Sequence, residues 1–251
     1  MNLEEFHRNF RSDLQAIIAE RVEAGEGPFP SDELVFAELV MEHVADAGIC
    51  EVPTVCHWSG KVGNTRLRIT GYTLSSDETA LDLFVTHYFG ADELNDLRDS
   101  DAIATASEGV RFLFRAASGN LAARIDPTHP VRDLVETIRS RWGDIDRIRV
   151  FVITDGKTKT KRFSSKEVHQ KMVAIEAMDM ERLFRQTEGK PRDELAVSFV
   201  QSIGRALPCV HVPDPDADYE YALTAIPGQL IRDLYLRYGT TLLEANIRTF
   251  L

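Results

Sequence analysis

At 251 residues, with 43% hydrophobic and 27% charged side chains, the chain has the composition of an ordinary soluble globular protein, long enough for one large domain or two smaller ones. Its 40 acidic residues outweigh 29 basic ones, and the net charge of −11 repels nucleic acid over most of the surface, confining any such contact to a local basic patch. Three cysteines without a C-x-x-C pair, no apolar run approaching the roughly 20 residues of a membrane span, and the polar start MNLEEFHRNF point to a reduced, cytoplasmic, non-membrane setting.

Residues 2–24 place Leu3, Phe6, Phe10, Leu14, Ile17, Ile18 and Val22 at helical spacing, and GEGP ends that helix. Ser31, followed by Asp32 and Glu33, caps a second helix whose stripe runs through Phe36, Leu39, Val40, His43, Val44 and Ala47 to Gly48. Glu38 and Glu42 sit four apart on this helix and share a face, ordinarily a solvated one. Residues 49–56 read as extended, with GKVGN (60–64) as a turn.

The stretch Arg66–Phe89 alternates apolar and polar residues on both sides of the turn Ser75–Glu78, which predicts a β-hairpin. Inside its second strand stands Asp82. A buried carboxylate costs several kcal/mol unless it is paired, so Asp82 is exposed, hydrogen-bonded or holding a metal.

Residues 92–117 read as a helix, DPTHP (126–130) as an internal boundary, and 131–142 as a further helix. The run IRVFVIT (148–154) is nearly all apolar and β-branched and predicts a strand buried on both faces of a helix-covered sheet. DGKTKTKR follows as a loop, then a strand over 172–177 and a short helix over 179–186 capped by Asp179. Residues 196–200, 209–212 and 219–225 read as extended, and Pro227 opens a last helix with Leu230, Ile231, Leu234, Tyr235 and Tyr238 turned inward. This order predicts an α/β or α+β body, a mixed central sheet flanked by helices.

The C-terminal segment YALTAIPGQLIRDLYLRYGTTLLEANIRTFL resembles the segment that enters the core domain of the AIPR family, the abortive infection phage resistance proteins. The matching positions are Pro227-Gly228, Leu234-Tyr235, Tyr238-Gly239, Leu242-Leu243-Glu244, Asn246, Arg248 and Phe250-Leu251, with Ile247 where the family has valine. The resemblance implies a bacterial antiviral defence protein, of which this chain is the N-terminal part. It divides as an endonuclease-like part over 1–126, a second α/β part over 127–226 that completes or packs on the sheet, and a helix over 227–251 leading into the family's core domain. That C-terminal domain would be one partner, and self-association is compatible with the sequence.

The N-terminal part of the family is similar to restriction-endonuclease-like nucleases of the PD-(D/E)xK type, which implies a restriction-endonuclease-like core and Mg²⁺ as cofactor. In that chemistry, carboxylates on a hairpin and a neighbouring helix hold the ion, which lowers the pKa of the attacking water, and a lysine steadies the charge that develops. Carried onto this chain, Glu38 and Asp82 take the catalytic and Mg²⁺-ligand positions, and Gly71 and Tyr72 match the hairpin's Gly-Tyr pair. Two positions depart: Thr70 stands where the first aspartate belongs and Phe84 where the D-x-K lysine belongs, so the site reads as degenerate. The basic run Lys157, Lys159, Lys161, Arg162 and Lys166 is the local patch that would touch a phosphate backbone, although a solvated loop is the commoner use of such a run.

No Walker glycine precedes Gly156, no His or Cys spacing suits zinc, and no G-x-S-x-G occurs. Two readings therefore stand side by side: a Mg²⁺-dependent nuclease domain acting on or gripping nucleic acid, and a non-catalytic recognition or assembly domain of the same defence protein.

Overall fold

A computed structural model describes residues 1–25, 31–187, 197–213 and 220–238. Chain contacts divide it into a first unit, Met1–Glu188, and a second, Gly189–Phe250.

The first unit begins with α1 (Leu3–Glu23), closed by a capping box between Asn2 and Glu5, and α2 (Asp32–Asp46), capped by the Ser31 hydroxyl. Three antiparallel strands follow, β1 (Thr54–Val62), β2 (Thr65–Leu74) and β3 (Ala80–His87). The expected hairpin is therefore present, with Thr73 opposite Asp82. GKVGN is not wholly a turn, since Gly60, Lys61 and Val62 belong to β1 and only Gly63 and Asn64 reverse the chain.

Next come a two-residue strand β4 (Asp96–Leu97), α3 (Asp99–Ala117), a short 3-10 turn at Ala122–Arg124 and α4 (Val131–Arg141). The helix expected from residue 92 starts seven residues later. Residues 96–97 pair in parallel with β6 (Lys157–Thr158) instead, and this buries Leu97. The rest of the sheet is β5 (Arg147–Thr154), β7 (Arg162–Val168) and β8 (Lys171–Met178), and α5 (Met180–Thr187) closes the unit. β7 begins at the last residue of the expected loop and covers residues for which no strand was expected. It is an edge strand whose alternation is broken by a bulge between Phe163 and Lys166, and five of its seven residues are exposed.

The sheet order is β1-β2-β3-β5-β8-β7. β3, β5 and β8 run parallel at its centre, with antiparallel pairs on either side, a mixed sheet with helices on both faces. β5 occupies the centre expected of IRVFVIT. Its Val150 and Val152 face a core built with α3 and α4, while Phe151 and Ile153 face one built with α1, α2 and α5. The connection at 126–130 joins the 3-10 turn to α4, and the sheet draws strands from both sides of it.

In the second unit, α6 (Phe199–Ile203) is capped by Ser198 and ended by Gly204 at φ 72°, where a strand over 196–200 was expected. β9 (Cys209–Pro213) and β10 (Glu220–Thr224) form an antiparallel pair, and α7 is Gly228–Tyr238. Of the stripe expected inward on α7, Leu230 is buried, whereas Ile231 and Tyr235 are 45% and 44% exposed. Residues 239–251, which carry the end of the C-terminal signature, lie outside the described residues. No described helix is long and apolar enough to cross a membrane.

Candidate functional site

Asp82 enters β3 on the face covered by α1, α2 and α5, and its side chain is 2% exposed. The parallel register of β3 and β5 sets it beside Arg149. The Arg149 Nε donates to Oδ1 at 2.7 Å and Nη2 to Oδ2 at 2.6 Å, a bidentate pair. Nη2 also donates to the Ile49 carbonyl at 2.7 Å, and the guanidinium lies 4.8 Å from the centroid of the Phe151 ring. Thr73 Oγ1 donates to Oδ2 at 3.3 Å, and Arg147 stands 4.0 Å away. Burial, and then the Asp82 charge, push the neighbouring Cys50 thiol up to about 12. Both oxygens of the carboxylate are thus occupied by protein donors.

The other hairpin positions are equally committed. Thr70 and Thr86 are fully buried, with their hydroxyl oxygens 3.0 Å apart, and Thr70 Oγ1 accepts the Thr86 backbone N–H at 3.2 Å. A side chain here completes the strand pairing where the β2–β3 ladder ends at Gly71 and Phe84. Gly71 admits α2: a Cβ at this position would sit 2.5 Å from the Met41 sulfur and 2.9 Å from the Thr54 carbonyl. Tyr72 is half-buried against the α3/α4 core, and burial raises its hydroxyl pKa. Neither residue presents a free group to a substrate.

Glu38 accepts from Arg21 of α1 at 2.6 Å, and Glu42 is exposed. Asp82 and Glu38 therefore have separate partners on separate elements. Mg²⁺ takes oxygen ligands at about 2.0–2.1 Å, several of them charged. Here Arg149 occupies both Asp82 oxygens, Arg21 holds Glu38, and position 70 supplies only a neutral hydroxyl that is already bonded. Among the described residues, no group of three or more His, Cys, Asp or Glu side chains is placed to hold a metal ion. As arranged, this donor set does not fit Mg²⁺.

The expected basic run is partly committed to carboxylates, while Lys159 and Lys166 are exposed without one among the described residues. Lys161 is ion-paired with the fully buried Asp179 and, at 2.8 Å, with Glu181; Lys157 lies 3.4 Å from Asp96; Lys159 is exposed. Asp179 also accepts the backbone N–H groups of Thr158 at 2.7 Å and Arg182 at 3.0 Å, the latter being the helix cap that the sequence predicts. Asp155 accepts the N–H groups of Phe89 and Gly90, each at 2.8 Å, and ties the end of β3 to that of β5.

A polar cavity of about 370 Å³ that the sequence reading missed is lined by residues of α2, α3 and the hairpin strands. Glu108 holds Arg68 at 2.9 Å and Arg66 at 3.5 Å, and Glu33 lies 3.5 Å from Arg68. His87 Nδ1 is 3.1 Å from Thr105 Oγ1, and burial lowers its pKa. The Tyr88 hydroxyl is buried without a hydrogen-bond partner, and burial, reinforced by Asp155, raises its pKa to about 12. The arginines alternate in sequence, but Glu33 and Glu108 come from distant helices, so no local signal announces this network.

Compared with known families, residues 36–185 match one described as the abortive infection phage resistance protein N-terminal domain. That span covers more than half of the chain and every strand of the six-stranded sheet. No curated protein matches. No solved structure matches.

Proposed function

The chain belongs to the family of abortive infection phage resistance protein N-terminal domains, and from that membership we propose that it serves phage defence as a non-catalytic recognition and assembly domain. In this reading the hairpin is a restriction-endonuclease-like frame whose metal-holding positions have been given over to structure. The observation that carries it is the Asp82–Arg149 pair. A carboxylate that binds Mg²⁺ must turn at least one oxygen to the ion, and Asp82 gives both to a guanidinium from the next strand. The Thr70–Thr86 hydroxyl pair and the Glu38–Arg21 pair support the same conclusion at the two other positions.

The test is Mg²⁺- and Mn²⁺-dependent cleavage of single- and double-stranded DNA and RNA by the wild type, Asp82→Asn and Glu38→Gln. The expected result is no metal-dependent cleavage by any of the three. Cleavage by the wild type that either substitution abolishes, in a protein that remains folded, would overturn the proposal in favour of a Mg²⁺-dependent nuclease.

A further inference from the structure

On a chain of net charge −11, one surface of the first unit gathers aromatic rings and cations. The hairpin joining β7 to β8 turns through two residues, His169 and Gln170, with Val168 paired to Lys171. Both have positive φ, 43° and 68°, a geometry that Asn-Gly ordinarily supplies and that other side chains adopt only under strain. The strained turn lays the His169 imidazole on the Phe114 ring, with centroids 4.5 Å apart and planes 14° from parallel. Ser118 Oγ lies 2.9 Å from His169 Nε2, and Trp142 meets the imidazole edge-on at 6.1 Å. Phe114, which ought to be inside on hydrophobicity, is 43% exposed.

Cations surround these rings. Lys171 Nζ lies 5.6 Å from the Trp142 centroid, and the Arg115 guanidinium 5.9 Å from that of Phe114. Arg111 is exposed one helical turn before Arg115 on α3. Arg139 reaches the end of α3, where Gly119, at φ 76°, leaves room: a Cβ there would lie 3.2 Å from Arg139 Nε. Among the described residues, none of these four cations is ion-paired with a carboxylate, although Lys171 Nζ donates to the Gly143 carbonyl at 3.1 Å and to that of Ile145. Elsewhere many arginines and lysines are paired, as Arg68, Arg149 and Lys161 are, while the exposed Lys159 and Lys166 likewise have no carboxylate partner among the described residues.

We propose that the Phe114–His169–Trp142 surface, with the cations that surround it, is a binding platform for single-stranded nucleic acid. The exposed rings of Phe114 and His169, backed by the partly buried Trp142, offer π-faces to unstacked bases, and the surrounding cations meet the phosphodiester backbone. A duplex keeps its bases stacked and offers such rings nothing to stack on. The inference gives the recognition reading a ligand, but it uses none of the hairpin positions on which that reading rests, so a binding assay and the cleavage assay fail independently.

The experiment is fluorescence anisotropy with labelled oligothymidylate, oligouridylate and a blunt DNA duplex at low and moderate salt. Saturable binding to one or both single strands, weaker for the duplex and falling with salt, is expected; the two single-stranded arms distinguish DNA from RNA. His169→Gly relieves the strained turn, so thermal stability should hold or rise while affinity falls about tenfold. Phe114→Ala should do the same to affinity, and Arg111→Glu/Arg115→Glu should flatten the salt dependence. Absence of saturable binding below about 100 µM for both strands, a level typical of nonspecific contact, overturns the proposal. So does binding that His169→Gly and Phe114→Ala leave unchanged.

Discussion

Removing Arg149 should damage the fold more than removing Asp82, and the size of the difference tests the structural assignment of the pair. Arg149→Met leaves a carboxylate 2% exposed, with one hydroxyl donor at 3.3 Å and a guanidinium 4.0 Å away at its surface end. An uncompensated charge of that kind costs about 3–5 kcal/mol. Asp82→Asn keeps an acceptor for Arg149, which retains its bond to the Ile49 carbonyl and its position over Phe151, so the loss is about 1.5–3 kcal/mol, that of weakened charge-assisted bonds. The double replacement Asp82→Leu/Arg149→Met buries no charge and should fall well short of the sum of the two single effects. In urea, with a slope of about 2–3 kcal/mol per molar, Arg149→Met should lower the midpoint by more than about 1 M. A cost below about 1 kcal/mol for Arg149→Met would refute the reasoning. So would a gain in stability for Asp82→Asn, which is how a carboxylate kept for function at the expense of stability behaves.

Three further outcomes follow from the same geometry. Gly71→Ala should destabilise by about 1–3 kcal/mol, because the new methyl meets Met41 and the Thr54 carbonyl; Met41→Ala in the same chain should rescue only part of the loss, since the carbonyl cannot move aside. Thr70→Val should cost about 1–3 kcal/mol and speed hydrogen exchange at the Thr86 amide, which loses its acceptor, while Thr70→Ser restores protection; unchanged exchange in the valine variant would contradict the assignment. Stability should decline on acidification below about 6.5, because burial holds the pKa values of His7, His57 and His87 below that ordinary value. The unfolded chain then binds protons that the folded one refuses, so the contribution is complete above 6.5 and lost as pH falls through the folded values, at up to about 1.4 kcal/mol per pH unit for each group. Denaturation midpoints at pH 7.5 and 5.5 check this, and His87→Asn should reduce the slope.

What the sequence revealed depended on how far apart the deciding residues lie. The hairpin and the central strand were legible because period-two alternation and a largely β-branched, apolar run are written locally, and the Asp179 cap because its acceptor and donor lie three residues apart. The state of Asp82 was not legible: its partner lies 67 residues on, and only the parallel register of β3 and β5 brings the two side by side. β4 was misread as helix for a similar reason, since it exists through its pairing with β6 about sixty residues later. β7 was hidden by its edge position, where polar side chains face solvent and a bulge breaks the alternation.

Within the first unit, committed and uncommitted polar groups are sorted by place, and that sorting bears on function. A group satisfied by its own protein has little to offer a ligand, because any new bond must first break an old one at comparable cost. At the hairpin, Asp82, Glu38, Thr70 and Thr86 all have internal partners, and the nearby Arg66 and Arg68 are held by Glu108. At the turn between β7 and β8 the balance is different: Lys171 donates to the Gly143 and Ile145 carbonyls, but Arg111, Arg115 and Arg139 have no carboxylate partner among the described residues, Phe114 and His169 are exposed, and the backbone is kept in a costly conformation to hold His169 in place. The stacking of His169 on Phe114 and its contact with Ser118 hold the turn in this conformation, and strain of that kind gathers where ligands bind. The stacking surface, rather than the hairpin that first draws the eye, is therefore where a ligand would find groups ready to bind it.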